Sequence, residues 1–169
     1  MIHLYYGNGK GNTPAACGLT LRASGSGMKV LFCQFFKNGA SSEVRAMQCL
    51  ENVDIMIPEM NFGRFKNMSE DQKEKISDEY HGFLRSVIKK AADYGLIVLD
   101  EAVSAYGYGL IGREDLTDFL KDEGGAREIV ITGRDPAPEL LELADYATEM
   151  RKEKHPYDKG VKARKGIEF

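Results

Sequence analysis

The sequence predicts a doubly wound α/β domain, in which helices cover both faces of a largely parallel sheet. Apolar runs of strand length recur along the chain, and helix-like segments separate them. The runs KVLFCQFF (29–36) and LIVLD (96–100) are apolar without alternation. Such runs are typical of strands that are covered on both faces, as in a parallel sheet. With 169 residues and no low-complexity linker, we expect one domain over residues 1–169.

The predicted strands and helices follow one another along the chain. The first is a strand at 2–6, which is a short apolar run. A helix from 12 to about 26 follows, with apolar residues at helical spacing. The helix at 69–92 begins with a capping box formed by Ser69 and Gln72, and the helix at 138–144 begins with Pro138. The other predicted strands are 29–36, 53–57, 96–99, 128–132 and a weaker one at 147–150, and the other predicted helices are 41–49 and 113–121.

Composition argues against several classes of protein. The net charge of −3 gives no reason to expect a nucleic acid as partner. No apolar run approaches the roughly 18 residues of a membrane span, so we expect no membrane partner. The cysteines Cys17, Cys33 and Cys49 are odd in number and have apolar neighbours. They predict buried thiols rather than a disulfide framework, and therefore a reducing, cytoplasmic location.

The stretch YYGNGKGNTPAA (5–16) has the layout of a phosphate-binding loop. Its glycines Gly7, Gly9 and Gly11 join a strand to the start of a helix, where backbone N–H groups can converge on phosphate oxygens. The loop is one residue shorter than the usual G-x-x-x-x-G-K-[ST] pattern, and Asn12 stands in place of its lysine. Thr13 keeps the hydroxyl that would bind magnesium. The alternative is a plain glycine-rich turn.

Three further segments carry polar residues that follow predicted strands or line a polar loop. Asp100 and Glu101 end LIVLDE, where carboxylates beside a triphosphate can hold magnesium. The alternative is an acidic helix start that favours the helix dipole. Arg134 in VITGRDP can reach a phosphate or pair with Asp135. His155, in KHPYDKG, lies among polar residues that could line a site.

Taken together, these motifs resemble the P-loop type of corrinoid adenosyltransferase, the ATP:cob(I)alamin adenosyltransferases. The resemblance runs nearly end to end. It rests on GNGKG, on Arg22 within AACGLTLRASGSG, and on VLFCQFFKNG, LIVLDEAVSAY and IVITGR. The most specific segment is the ending KHPYDKGVKARKGIEF (154–169), which is similar to the family ending KHxxDxGxxAxxGI(D/E)(F/Y).

The resemblance implies a RecA-like P-loop domain with a mainly parallel six-stranded sheet. It also implies an enzyme that binds ATP and magnesium and transfers the 5′-deoxyadenosyl group to cobalt(I) of a reduced corrinoid such as cobalamin, releasing triphosphate. Cobalt is then the nucleophile, and the protein contributes positioning and charge stabilisation of the leaving group. ATP and the corrinoid are the implied partners, and a flavoprotein reductase and a second copy of the chain are further candidates.

The resemblance also assigns roles by position. Lys10, Thr13 and Arg22 would stabilise phosphate charge. Thr13 and Glu101 would lie near magnesium, with Asp100 as a further candidate. The residues that the resemblance predicts to bind cofactor are Asn8, Gly9, Lys10, Gly11, Asn12, Thr13, Arg22, Phe62 at the lower face of the corrinoid, and His155.

Three features depart from the family pattern. Asn12 and Pro14 replace a lysine and a threonine, and removing one such donor commonly costs about 10²–10³ in rate. Arg64 stands where the family often has tryptophan. Met1 directly precedes the first strand, where the family usually has an extension that helps to cover the corrinoid.

These departures leave three hypotheses about activity. The first is a working, weakened adenosyltransferase, which the retained Thr13, Arg22, Asp100 and Glu101 favour. The second is a catalytically silent protein that binds nucleotide or corrinoid. The third is a generic P-loop ATPase, which would not need the family-like ending. From about Glu153 onward we expect that ending to lie over the nucleotide side of the site, and the alternative is a solvated basic tail.

Overall fold

The computed structural model describes residues 1–60 and 65–168. Strands and α-helices alternate through this part of the chain, except that two helices lie between the fourth and fifth strands. The strands are β1 (Ile2–Tyr6), β2 (Val30–Gln34), β3 (Val53–Met56), β4 (Leu96–Asp100), β5 (Glu128–Gly133) and β6 (Tyr146–Glu149), and the helices are α1 (Asn12–Gly25), α2 (Ser42–Met47), α3 (Glu70–Lys90), α4 (Ala102–Gly107), α5 (Arg113–Glu123) and α6 (Pro138–Leu143).

The six strands form one sheet in the order β3-β2-β4-β5-β1-β6. Every pair of neighbouring strands is parallel. The RecA-like α/β class with a six-stranded sheet is therefore confirmed. Because parallel strands end at the same edge of a sheet, the segments that follow β1, β2, β4 and β5 meet there, where open α/β sheets bind their ligands.

Both faces of the central strands are covered by helices. Along β2, Leu31 and Cys33 face the larger apolar cluster, which includes residues of α3 to α6. Val30 and Phe32 face the smaller cluster, which includes residues of α1 and α2. All four are fully buried, which explains why the run does not alternate in the sequence. Each such leucine or phenylalanine contributes about 1.5–3 kcal/mol by leaving water.

The capping box is also confirmed, since Gln72 N donates to Ser69 Oγ at 3.3 Å and Ser69 N donates to Gln72 Oε1 at 3.0 Å. Helix α4 was not predicted from the sequence. It begins directly after Glu101, where an acidic helix start was the alternative to a metal site, and no side-chain hydrogen bond caps its start. The weak signal of β6 reflects an edge strand whose residues are all exposed.

The prediction of three buried thiols is wrong for Cys49. Cys33 is buried and Cys17 is partly buried, whereas Cys49 is exposed just after the end of α2. Phe62, predicted near the corrinoid, and Arg64 lie outside the described residues. Within the described ranges, no helix is both long enough and apolar enough to cross a membrane.

Candidate active site

A buried carboxylate lies at the centre of the site, at the end of β4. Asp100 is fully buried. Its Oδ1 accepts hydrogen bonds from the hydroxyls of Thr13 at 2.8 Å and Thr132 at 2.7 Å. Its Oδ2 accepts from Gln34 Nε2 at 3.0 Å and from Lys37 Nζ at 3.1 Å. We call these five residues the strand-end cluster. Each oxygen of the carboxylate is hydrogen-bonded twice, as a buried charge requires.

The cation of the strand-end cluster is Lys37, in the loop after β2. Its Nζ lies 3.1 Å from Asp100 Oδ2, 3.5 Å from Glu43 Oε1 and 3.5 Å from Thr13 Oγ1. Burial by itself would lower the pKa of Lys37. The negative charges of Asp100, Glu43 and Glu101 more than offset that effect, so the pKa is raised above its ordinary value. The site therefore holds a permanent positive charge beside Thr13 at neutral pH.

Glu101 adds a second carboxyl group next to Asp100. Its backbone is in the left-handed region, with φ 62°. Its N–H donates to Thr132 Oγ1 at 2.9 Å, and its Oε2 accepts from Ser104 Oγ at 2.8 Å. Burial and the charge of Asp100 raise the pKa of Glu101. A carboxyl group whose pKa is raised by burial and by a neighbouring carboxylate is typical of a site that can accept a cation.

The left-handed backbone of Glu101 has a counterpart at the end of β2. Within the described ranges, Phe36 (φ 56°) and Glu101 are the residues other than glycine with positive φ. Each such conformation costs on the order of 1–3 kcal/mol. Both residues follow strands that adjoin at Asp100. The strain is therefore concentrated where the strand ends meet, as is common at functional sites.

Asn12, in the position of the loop lysine, ties the glycine loop to the sheet. Its Nδ2 donates to the carbonyl oxygens of Gly7 at 3.1 Å and Gly133 at 3.0 Å. Both amide hydrogens are therefore engaged by backbone carbonyls. The side chain brings no charge to the loop, and it connects the end of β1 with the end of β5.

The glycine loop keeps backbone donors that an anion could use. Gly7 N donates to Gly133 O at 3.2 Å, and Gly9 N donates to Met150 O at 2.6 Å. In contrast, the N–H groups of residues 10–13 donate to no acceptor within the described ranges. They lie at the start of α1, where the helix dipole favours negative charge.

Close packing against the chain is a second reason for glycine at positions 7 and 9, and sequence reasoning missed it. A Cβ atom at Gly7 or Gly9 would lie 2.6 Å from the carbonyl oxygen of Met150. The chain after β6 therefore packs directly on the loop. It is held there further by Lys152 N, which donates to Asn8 Oδ1 at 3.0 Å. No local sequence signal could show this contact, because Met150 and Lys152 are about 140 residues along the chain from the loop.

The other predicted phosphate ligands lie further from the strand-end cluster. Lys10 Nζ pairs with Glu168 Oε1 at 3.1 Å, so the end of the described chain does reach the glycine loop. Arg22 is exposed in the last turn of α1, and its Cα lies roughly 15 Å along the helix axis from Asn12. His155 Nδ1 accepts a hydrogen bond from Tyr157 N at 3.1 Å, which caps a short 3-10 turn.

The structure therefore brings together Thr13, Asp100 and Glu101, and it adds residues that the sequence did not single out. Gln34, Lys37 and Thr132 lie within VLFCQFFKNG and IVITGR, two segments that carry the resemblance but in which these residues received no role. Their signal was position, since each lies at or just after the end of a strand next to β4. The positive charge of Arg134 partly opposes the rise in the pKa of Glu101 that burial and Asp100 cause.

The residues present fit magnesium. Thr13, Asp100 and Glu101 offer oxygen ligands, which this cation prefers. The described residues contain no group of three or more His, Cys, Asp or Glu side chains that could hold a metal ion. Magnesium beside a triphosphate needs only one or two protein ligands, with phosphate and water completing its shell. Gln34 Oε1 is buried and lacks a hydrogen-bond partner among the described residues, so it could accept from such a water.

Comparisons with known proteins point to one family. The family model of ATP:corrinoid adenosyltransferase BtuR/CobO/CobP matches residues 1–169. Corrinoid adenosyltransferase of Pseudomonas aeruginosa is 32% identical over 169 residues, which cover 100% of this chain and 83% of that protein. Corrinoid adenosyltransferase CobA of Salmonella typhimurium is 32% identical over 170 residues, covering 100% of this chain and 85% of that protein.

A solved structure supports the fold alone. The flagellar accessory protein FlaH of Methanocaldococcus jannaschii matches with a TM-score of 0.55 and 16% identity, covering 88% of this chain and 69% of that chain. The full-length family match is more specific than this likeness, because it includes the glycine loop, the strand ends and the tail. On that match, the protein belongs to the ATP:corrinoid adenosyltransferase family, which implies a corrinoid and ATP as its substrates.

Proposed function

We propose that the protein transfers the 5′-deoxyadenosyl group of ATP to the cobalt(I) of a reduced corrinoid such as cob(I)alamin, with release of triphosphate. One observation carries the proposal. Thr13 Oγ1, at the start of α1, donates to the buried carboxylate of Asp100 at 2.8 Å. This pairing of a loop hydroxyl with a strand-end carboxylate is the arrangement that P-loop proteins use for magnesium and phosphates. It is present even though Asn12 replaces the loop lysine.

The reaction requires little chemistry from the side chains. The electron pair of cobalt(I) forms the bond to C5′, the C5′–O bond breaks, and its electron pair leaves with the triphosphate. The chain must hold the two substrates in line and stabilise the charge of the leaving group. The N–H groups of residues 10–13 and the dipole of α1 favour the triphosphate at this position.

Magnesium would be held by Thr13 and Asp100, with Glu101 near enough to Asp100 to share it. When bound, it would offset negative charge on the phosphate oxygens. Cobalt(I) requires a reductant, for which a flavoprotein reductase is the candidate partner. Cytoplasmic location, a homodimer, and roles for Phe62 and His155 at the corrinoid and nucleotide remain predictions.

One observation favours a second candidate, a catalytically silent binding protein of the same family. The amide of Asn12 bonds to the carbonyls of Gly7 and Gly133, so the loop is stable without the charge that the lysine would supply. The generic ATPase is disfavoured, because the family match covers the tail as well as the loop.

The test is an assay with ATP, magnesium and chemically reduced cobalamin under anaerobic conditions. We expect the absorbance spectrum of cob(I)alamin to change to that of adenosylcobalamin, with one triphosphate released for each cobalamin converted. Calorimetric binding of MgATP without any spectral change would favour the silent protein. Release of orthophosphate without corrinoid would indicate an ATPase. A chain that neither binds MgATP nor converts cobalamin would refute the proposal.

A further inference from the structure

The charge missing from the glycine loop raises the question of which cation faces the triphosphate. A lysine at position 12 would offer an ammonium at the start of α1. Asn12 offers none, and its two amide hydrogens are engaged by Gly7 O and Gly133 O. If the protein binds a triphosphate as proposed, several negative charges must be compensated by another side chain near Thr13.

Lys10 and Arg22, the predicted charge stabilisers, are poorly placed for that role. Lys10 Nζ lies 3.1 Å from Glu168 Oε1, so its charge is already paired by the tail. Arg22 lies in the last turn of α1, at the opposite end of the helix from the N–H groups that face an anion. Neither side chain contacts a member of the strand-end cluster within the described ranges.

Lys37 is placed differently. Its ammonium lies within 3.5 Å of Thr13 Oγ1, next to the first turn of α1 where the N–H groups have no described acceptor. The side chain is 32% exposed, so it can be reached from solvent while most of its length is enclosed. Its partners Asp100 and Glu43 keep the ammonium at this position before a ligand binds.

The loop that carries Lys37 is rigidly supported. Phe36, directly before it, has positive φ. Phe36 N donates to Tyr80 Oη at 2.7 Å, and the Phe36 ring contacts the rings of Tyr80 and Tyr108 edge-on. A non-glycine residue keeps such a backbone only where its surroundings hold it. The direction of the chain at Lys37 is therefore set by the packing of its neighbour.

We propose that Lys37 binds the triphosphate of ATP and supplies the ammonium that the glycine loop lacks at Asn12. This inference rests on the proposed function and names a residue of the same site. Lys37 has a long, flexible side chain, and a short movement of Nζ past Thr13 carries it from Asp100 to an anion at the start of α1. The charge comes from the loop after β2 rather than from the glycine loop itself.

The test measures binding of inorganic tripolyphosphate and of MgATP by calorimetry. Lys37→Met should weaken both affinities roughly 10–100-fold, as expected for the loss of a hydrogen bond to a charged group, and should make tripolyphosphate binding less sensitive to salt. Lys37→Arg, which keeps the charge, should retain most of the affinity. The matched control is Lys29→Met, which removes an exposed lysine just before the same strand and should leave both affinities unchanged.

Unchanged binding in Lys37→Met would overturn the inference. So would tighter binding, which would show that the lysine only neutralises Asp100 and competes with the metal. If Lys37→Met does not fold, Lys37→Gln is measured in its place, since the amide is neutral and can still donate to Asp100.

The same measurements separate this inference from the proposed function. If the parent protein binds tripolyphosphate through Lys37 but does not adenosylate cob(I)alamin, the inference stands and the proposed function fails. If the parent adenosylates cob(I)alamin and Lys37→Met binds MgATP as the parent does, the proposed function stands and the inference fails.

Discussion

The strand-end cluster and the tail at 151–168 both bring charged side chains to the glycine loop, but they do so in different surroundings. Asp100 is fully buried and has four hydrogen-bond donors. In the tail nearly every described residue is exposed, and its polar contacts with the loop include the hydrogen bond from Lys152 N to Asn8 Oδ1 and the ion pair of Lys10 and Glu168. Salt screens exposed pairs, whereas buried pairs are screened much less. We therefore expect the cluster to determine stability and the tail to respond to ligand and salt.

The pKa values of the carboxyl groups show the same contrast. Burial and Asp100 raise the pKa of Glu101. In the tail, the hydrogen bond from Arg164 lowers the pKa of Glu168 to about 2. Glu101 therefore has too little positive charge around it to offset its burial and the charge of Asp100. Glu168, in contrast, is exposed to solvent and paired with Arg164. A cation is therefore expected to gain more at the cluster than at the tail.

The largest effect is expected for Asp100→Ala. This change leaves the buried Gln34 and Thr132 and the partly exposed Lys37 and Thr13 without their shared acceptor. Breaking a buried charge pair in this way costs about 3–5 kcal/mol. The free energy of unfolding, measured with denaturant, should fall by that amount. Asp118→Ala, which removes an exposed carboxylate paired with Lys121, should change it by less than about 1 kcal/mol. Equal losses in the two variants would contradict the contrast.

A smaller loss is expected for Asn12→Ala. The change removes two hydrogen bonds to Gly7 O and Gly133 O and leaves these carbonyls without that donor. The expected decrease in the free energy of unfolding is about 1–3 kcal/mol. Asn38→Ala, which affects an exposed asparagine in the loop after β2, is the control. If Asn12→Ala is as stable as the parent, the amide does not hold the loop to the sheet.

Glu101→Gln should change the pH dependence of stability in metal-free protein. The folded-state pKa of Glu101 is raised, so its protonated form favours folding. This contribution is present below the ordinary value of 4.5 and is lost as pH rises through the raised pKa. The glutamine variant should not show this loss, and its stability relative to the parent should increase across that range. Denaturant titrations at several pH values, with exposed Glu51→Gln as control, test the prediction. A constant difference between parent and variant would contradict it.

The smallest effect on stability, but the largest response to ligand, is expected in the tail. Amide exchange across residues 151–168 should slow on addition of MgATP if the tail lies over the nucleotide. Glu168→Gln weakens the contact with Lys10 and should increase exchange in the ligand-free protein, an effect that high salt should reproduce in the parent. Fast exchange that neither MgATP nor the variant alters would show that the tail is solvated.

The sequence predicted much of the fold because periodicity is a local property. Strands β2 and β4 were recognised from runs that are apolar on both sides, and the start of α3 was recognised from Ser69 and Gln72. Helix α4 was not among the predicted helices, although an acidic helix start at Asp100 and Glu101 was the alternative to a metal site. Glu101 starts the helix from a left-handed backbone without a capping hydrogen bond, which leaves only that weak signal. The exposure of Cys49 was missed because apolar neighbours in the sequence do not show whether a side chain just after a helix faces the core or the solvent.

For the site, the sequence by itself determined which segments carry polar groups to the edge of the sheet. It identified Thr13, Asp100 and Glu101, because a glycine loop and a strand-end carboxylate are short motifs. Tertiary structure alone decided that Lys37 lies beside Thr13, that the Asn12 amide joins two strands, and that Met150 requires glycine at positions 7 and 9. The physical reason is that these contacts join segments up to about 140 residues apart, whose proximity depends on the order of strands in the sheet.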